Sequence, residues 1–419
     1  MATLGVSLMA ELELLPLAIL ADDLTGAMDS GLQLARRGLE TVVQLDKEAS
    51  ESAPVVVLSS ESRDASPSAA IASISELIPH LRGRRVLKKI DSTFRGNIGY
   101  ELRMLLSGLS LRAAVVAPSF PQGGRTLVNG HLLIDNQPLN VTPFRQDPRW
   151  PMLESHLPTY LMQQSGMEVA HMALDVVHMG VRHLARALAM ADGRLVVIDA
   201  TSDEDLDTIA QAVKSLGPAW MPCGSAGLAQ AWAALLDART PVPVVFPNRA
   251  NRGMLFVAGS RNPVSLEQVE TLVRLGVPQV TLDSRGVYEP ARETERLAQA
   301  ARQVLETGSD LVIEATSSPA VPGAGPRVSQ ILADAVHSLV TRNQVAGLFL
   351  TGGDVAIAVC RALGIASLRI IDEIEPGIPG AQLRDGQADG LPAVTKAGGF
   401  GSPDAMIAAR HWLHNKTQG

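Results

Sequence analysis

Hydrophobic residues along this 419-residue chain fall into two kinds of run, and their alternation predicts the architecture. Short, nearly continuous apolar stretches read as buried strands; longer ones with apolar positions three or four apart read as amphipathic helices. In the first half, strands are expected at Leu15 to Leu20, Val42 to Leu45, Val55 to Leu58, Val86 to Ile90, Ala113 to Ala117 and Leu195 to Asp199. Helices are expected at Ala27 to Arg37, stopped by Gly38, and at Ala69 to Leu81, Val181 to Met190, Leu206 to Leu216 and Leu228 to Leu236. The second half repeats the rhythm, with strands at Met254 to Ala258, Leu311 to Glu314, Leu348 to Thr351 and Leu368 to Ile371. Its helices are expected at Leu266 to Leu275, Leu297 to Glu306 and Val328 to Thr341. Strands alternating with helices imply an α/β fold in which a largely parallel sheet is flanked by helices.

Two interruptions organise the chain. Between Pro118 and Met152 the residues turn to Pro, Gly, Asn and Asp with only short apolar stretches, which predicts hairpins and ordered loops elaborated over a site. Between Asp237 and Gly253 stand Pro241, Pro243 and Pro247, which exclude a central strand or a long helix there. That stretch is the expected linker between two domains, residues 1–240 and 253–419, with the linker itself at about 241–252.

Composition narrows the classes. Aromatic residues make up 3% of the chain, so the core rests on Leu, Val, Ile and Ala, and a stacking surface for bases is not expected. Lys and Arg total 36 against 43 Asp and Glu, a net charge of −7, which offers no general attraction to nucleic acid or an anionic membrane. An anionic ligand then needs a local basic cluster. Cys223 and Cys360 lack metal-ligand or redox spacing and read as buried small hydrophobes. The apolar run from Leu4 to Leu20 contains Glu11, Glu13 and Pro16 without a basic flank, so export is not expected and the chain is read as cytoplasmic. The nine histidines show neither HxxxH nor HExxH spacing, and no GxSxG elbow occurs.

Ligands of open α/β sheets sit beyond the carboxyl ends of strands, so polar residues directly after an apolar run are the candidates. In the first half these are Asp22-Asp23-Leu24-Thr25-Gly26, the mixed-charge run Lys88 to Gly96, and Arg63. Adjacent aspartates on a strand face opposite sides, so one of Asp22 and Asp23 is expected to cap the next helix while the other faces the crevice. Lys88, Lys89, Asp91 and Arg95 can hold a small anion. In the second half, Gly259-Ser260-Arg261-Asn262, Thr351-Gly352-Gly353-Asp354 and Thr395 to Ser402 each form a Gly-containing turn from strand to helix. Such turns present backbone N–H groups to phosphate. Any one of them alone could be an ordinary tight turn; three in one domain suggest a nucleotide, although neither GxxxxGK[ST] nor GxGxxG is present.

In this order and spacing the motifs resemble the four-carbon acid-sugar kinase family, a former domain of unknown function, from about Leu15 to Leu413. The matching residues are Asp22 to Ala27, Lys89 to Gly96, Phe120-Pro121, Gly124-Arg125 and Gly130. Further on they are Gly259 to Arg261, Thr351 to Asp354, Glu375 to Gly377 and Lys396 to Gly401. The resemblance implies a sugar-acid-binding N-terminal domain, a nucleotide-binding C-terminal domain and an active site in the cleft between them. It further implies ATP-dependent phosphorylation of the 4-hydroxyl of D-threonate, with D-erythronate or 3-oxo-tetronate as alternatives. Carried over, Asp23, Arg63, Lys89, Ile90, Asp91 and Ser92 would meet the acid, with Arg95 added from the charge cluster. Ser260, Gly352, Gly353, Asp354, Val355 and Gly398 would meet ATP.

Mg²⁺ would bridge phosphate oxygens with few protein ligands, none of them assigned here. Asp23 or Asp91 would orient or deprotonate the hydroxyl, with Asp354 as a base or metal-side alternative. A homodimer is compatible with this reading. The rivals are a dehydrogenase or aldolase, disfavoured by the missing dinucleotide fingerprint and the lack of an evident Schiff-base lysine, and a non-enzymatic sugar-acid and nucleotide sensor.

Overall fold

The computed structural model describes residues 16–46, 53–147, 149–191 and 194–417, so most of the opening apolar run lies outside the described residues. The described chain divides into two compact units, one from residues 16–39 and 53–240, the other from 40–46 and 241–417. No helix among the described residues is long and apolar enough to cross a membrane.

The first unit opens with β1 (Leu17–Ala21) and α1 (Leu24–Ala35); β2 (Thr41–Gln44) belongs to the other unit. It continues with β3 (Val55–Ser59), α2 (Pro67–Leu81), β4 (Arg85–Lys89), α3 (Ile98–Gly108) and β5 (Ala113–Ala117). The turn-rich stretch follows as a small antiparallel sheet of β6 (Arg125–Val128), β7 (His131–Ile134) and β8 (Gln137–Pro138) with short 3-10 turns, as its composition predicts. The unit ends with α4 (Leu157–Ser165), β9 (Val169–Met172), α5 (Leu174–His178), α6 (Val181–Met190), β10 (Leu195–Ile198), α7 (Asp203–Ser215), β11 (Trp220–Gly224) and α8 (Ala226–Ala234).

Its main sheet has the order β3-β1-β4-β11-β5-β10-β9, every neighbouring pair parallel. Burial on both faces is why β1 and β5 read as unbroken apolar runs. The order turns at β1, with β3 on one side and β4 on the other. That is the switch point at which an open parallel sheet leaves a crevice at its carboxyl edge.

The second unit contains β12 (Gly253–Ala258), α9 (Pro263–Arg274), β13 (Gln279–Thr281), α10 (Pro290–Leu305), β14 (Leu311–Glu314), α11 (Gly325–Thr341), β15 (Val345–Thr351) and α12 (Gly353–Ala362). It closes with β16 (Ser367–Glu375), β17 (Ile378–Arg384), β18 (Pro392–Lys396) and α13 (Ala405–Thr417). The order is β13-β14-β12-β15-β18-β17-β16-β2. The first five strands are parallel, and β17, β16 and β2 extend the sheet antiparallel. A second switch point lies between β12 and β15. The core around β12 and β15 includes Phe256 and Phe349, with ring centroids 5.5 Å apart.

The structure corrects one placement. The apolar run at residues 42–45, read as part of the N-terminal domain, forms β2 of the second unit, where Val42, Val43 and Gln44 pair with Arg369, Leu368 and Ser367. Periodicity announces a strand but not its partner. Residues 237–249 carry neither helix nor strand, in keeping with their prolines. Strands β11 and β17 escape a reading by apolar runs because Pro222 and Gly224, and Pro379 and Gly380, break theirs.

Candidate active site

In the first unit the crevice is built from residues that follow three adjacent strands. After β1, Asp22 is 1% exposed, and Asp23 caps α1 by accepting the Gly26 N–H at 2.7 Å on Oδ1. After β3 comes Arg63, which donates from Nε and Nη2 to the two oxygens of Asp22 at 2.9 and 2.8 Å, and from Nη1 to Oδ2 of Asp23 at 2.5 Å. Three of its five N–H groups are thereby committed. Asp23 caps the helix as expected, but both aspartates turn to one guanidinium instead of facing opposite sides. The strand ends at Ala21, so its alternation does not reach the pair.

The two carboxyl groups are driven in opposite directions. Burial works against the Asp22 carboxylate, but Arg63, Lys88 and Lys89 outweigh it and hold its pKa below the ordinary value. For Asp23, burial reinforced by the neighbouring Asp22 charge prevails over Arg63 and pushes the pKa up.

After β4 the alternation of the strand separates two lysines. Lys88 enters the core, fully buried, and pairs at 2.8 Å with the equally buried Glu101 of α3. Burial opposes its charge, yet Glu101 and Asp22 raise its pKa. Glu101 also accepts a hydrogen bond from Ser62, next to Arg63, so this pair braces the loop that carries Arg63.

Lys89 takes the other side. It is 6% exposed, and among the described residues its ammonium forms no hydrogen bond or ion pair. Its Nζ lies against the first turn of α1, where a Cβ on Gly26 would stand 3.1 Å from it and 2.7 Å from Oδ1 of Asp23.

The turn beyond β4 carries the remaining candidates. Asp91 accepts from Thr93 and, at 2.7 Å, from Arg95 Nε; Arg95 Nη1 reaches Asp147 at 3.1 Å, and its guanidinium lies 5.6 Å from the Phe144 ring centroid. Burial is overcome at Asp91 by Arg63 and Arg95, which hold its carboxyl well below the usual range. Phe94, fully buried, sustains a left-handed φ of 61° with its ring edge-on to Tyr160, a strained turn that packing holds in place. Ser92 is partly exposed on this turn. The Ile90 side chain is fully buried and its N–H is bonded to Gly224, which leaves only its carbonyl to offer a ligand.

In the second unit, register explains convergence. Ala258, Thr351 and Lys396 stand side by side at the ends of β12, β15 and β18, so the three Gly-containing loops leave from one line. Gly352 has a φ of 101°, and a Cβ there would lie 3.4 Å from the Ser260 nitrogen; a Cβ on Gly398 would lie 2.0 Å from the Ser260 Oγ. Ser260, Gly352 and Gly398 are therefore neighbours. Helix α12 begins at Gly353 with no side-chain cap, which leaves its first-turn N–H groups for an anion. Asp354 is exposed in that turn, whereas Val355 is buried beneath Gly259 and contributes its backbone.

Sequence reasoning did not single out Asp147 and Phe144, which steady Arg95, or Glu101, which braces Arg63. Glu101 lies in the first turn of α3, a helix that the sequence reading did not anticipate. Cys223 and Cys360 are free and buried, and burial pushes both thiols up to about 12. Among the described residues no group of three or more His, Cys, Asp or Glu is placed to hold a metal ion.

A sugar-binding N-terminal domain family matches residues 17–232, and a nucleotide-binding C-terminal domain family matches residues 255–406. The chain belongs to the four-carbon acid-sugar kinase family. A D-threonate kinase of Salmonella typhimurium is 34% identical, the match covering 94% of this chain and 97% of that one. A D-erythronate kinase of Heliobacterium modesticaldum is 29% identical and a 3-oxo-tetronate kinase of Cupriavidus necator 31%, each over 95% of this chain and 97% of its own length. Solved structures from Salmonella typhimurium LT2 and Haemophilus influenzae, both 24% identical, share the fold with TM-scores of 0.81 and 0.77. They cover 95% and 94% of this chain and 99% and 100% of their own. As a member of this kinase family the chain is a phosphotransferase that uses ATP.

Proposed function

We propose that the chain transfers the γ-phosphoryl group of ATP to the 4-hydroxyl of a four-carbon sugar acid, with D-threonate the first candidate and D-erythronate and 3-oxo-tetronate the alternatives. The observation that carries the reading is Lys89. A nearly buried ammonium that forms no hydrogen bond or ion pair among the described residues, beside an acid pair bridged by Arg63, suits the single negative charge of such an acid. The two uncommitted N–H groups of Arg63, Ser92 and the Ile90 carbonyl would complete the cradle. The match to the Salmonella D-threonate kinase favours threonate among the acids.

Asp23 is the best base of the three carboxylates. Its raised pKa suits proton transfer, whereas Asp91 is held low by two arginines and suits fixed electrostatic duty. Asp354, at the start of α12, belongs on the nucleotide side. Mg²⁺ would neutralise phosphate oxygens, needing few ligands from the protein, and Asp354, in the first turn of α12, would supply one if the protein supplies any. Transfer requires acid and nucleotide to meet with water excluded.

The test is an ADP-release screen of the three acids with ATP and Mg²⁺, repeated with Asp23→Asn. Turnover should be greatest with D-threonate, and Asp23→Asn should depress kcat far more than it alters KM for either substrate. Binding of the acids without ADP release from any of them would favour the sensor reading. Full turnover by Asp23→Asn would move the base to Asp91 or Asp354.

A further inference from the structure

Lys396, the last residue of β18, is 3% exposed, yet among the described residues it forms no ion pair with a carboxylate. Its ammonium is surrounded instead by oxygens of the loop it precedes, at 3.0 Å from the carbonyls of Ala397 and Gly398, 3.1 Å from that of Phe400 and 3.2 Å from Ser265 Oγ. Ser265 donates in turn to the Gly398 carbonyl at 2.7 Å. Beside them Gln268 Nε2 donates to the carbonyls of Phe400 and Ser402 at 3.0 and 2.7 Å, and Glu375 accepts from Ser402 N and Oγ, both at 2.8 Å. The loop is thus gripped from beneath by its carbonyl groups.

A trans peptide points its N–H opposite to its carbonyl. Carbonyls of Ala397, Gly398 and Phe400 drawn towards Lys396 therefore turn the N–H groups of Gly398, Gly399 and Gly401 away from it. Among the described residues those three N–H groups have no hydrogen-bond partner, and Gly398 abuts Ser260. Successive outward N–H groups form a concavity for an anion.

We propose that Lys396 is the positioning residue of the nucleotide site, a sealed cation that orients the 397–401 loop so that its glycine N–H groups are presented to a nucleotide phosphate. This rests on the reading of the second unit as the nucleotide-binding one and assigns the organising role to a side chain that itself stays out of reach. An ammonium held by carbonyls and one hydroxyl is costly to bury, and burial, only partly opposed by Glu375, brings its pKa down to about 8. The groups packed against it from α9, Ser265 and Gln268, are neutral, so Glu375 on β16 is its charged neighbour. Raising the pH through 8 removes its charge and one donor, and the loop should lose its set.

The experiment is calorimetric titration of the full-length protein with ADP and, separately, with D-threonate. Lys396→Met should weaken ADP binding by ~10-fold or more, the scale of a lost charge-assisted contact, with acid binding unchanged. Lys396→Arg, which keeps the charge, should recover part of the loss. In the wild type the Kd for ADP should rise between pH 7 and pH 9, and in Lys396→Met it should stay flat. If Lys396→Met does not fold, the wild-type pH series decides, and a flat series overturns the proposal. ADP binding by a folded Lys396→Met within about twofold of wild type also overturns it. A wild type that binds no ADP at all would instead remove the nucleotide reading on which the proposal stands.

Discussion

Arg63 and Lys89 are both cations at the acid site, yet the fold treats them in opposite ways, and the difference is measurable. Arg63 holds two carboxylates, one of them almost fully buried, so Arg63→Ala leaves Asp22 uncompensated. Loss of one partner of such a pair should destabilise the protein by about 3–5 kcal/mol, in addition to raising KM for the acid. Lys89 forms no hydrogen bond or ion pair within the described fold and acts on Asp22 and Asp23 only through its charge. Removing a desolvated, unpaired charge relieves a cost, so Lys89→Met should leave the Tm unchanged or raise it while KM for the acid rises roughly 10- to 150-fold and KM for ATP stays put. Thermal melts and two-substrate kinetics on both variants check this. A large drop in Tm for Lys89→Met would mean that its ammonium has a structural partner after all.

The same alternation that frees Lys89 fixes its predecessor. Successive side chains of β4 face opposite sides, so Lys88 is committed to Glu101 on α3 and, through Glu101, to Ser62. The pair ties β4, α3 and the loop after β3 into one support for Arg63. Glu101→Leu strands a buried ammonium and should cost about 3–5 kcal/mol in urea unfolding, whereas Lys88→Met with Glu101→Leu should recover most of it, since replacing both partners is close to neutral. A single variant as stable as wild type would show that the support lies elsewhere. Elements also account for the nucleotide loops. Parallel register aligns Ala258, Thr351 and Lys396, and an uncapped α12 leaves N–H groups where those loops converge.

Across the whole molecule, division of the chain into units does not follow sequence order. Residues 40–46 leave the N-terminal half to supply β2 to the second sheet, where Glu40 also meets Arg369 at 3.3 Å. A proline there removes a ladder donor from a strand whose residues are all buried. Val43→Pro in the full chain should therefore loosen β16 and β17, seen as faster amide hydrogen exchange at residues 367–384. Unchanged exchange in β16 would refute the pairing.

The α/β class, the two nearly continuous runs of strands and helices, the proline-rich break and the motif-bearing strand ends were all legible in the chain. Each is written in local composition: apolar runs buried on both faces, prolines without a donor, glycines where backbone must come close. The partners of those pieces were not legible. That Asp22 and Asp23 share Arg63, that Lys88 is structural while Lys89 is open, that Lys396 lies beneath its own loop, and that residues 41–44 close the other sheet all depend on which strands lie side by side and in what register. Ion pairs and edge pairings form between residues far apart in sequence, and only the packed fold brings their charges and hydrogen-bonding edges within reach.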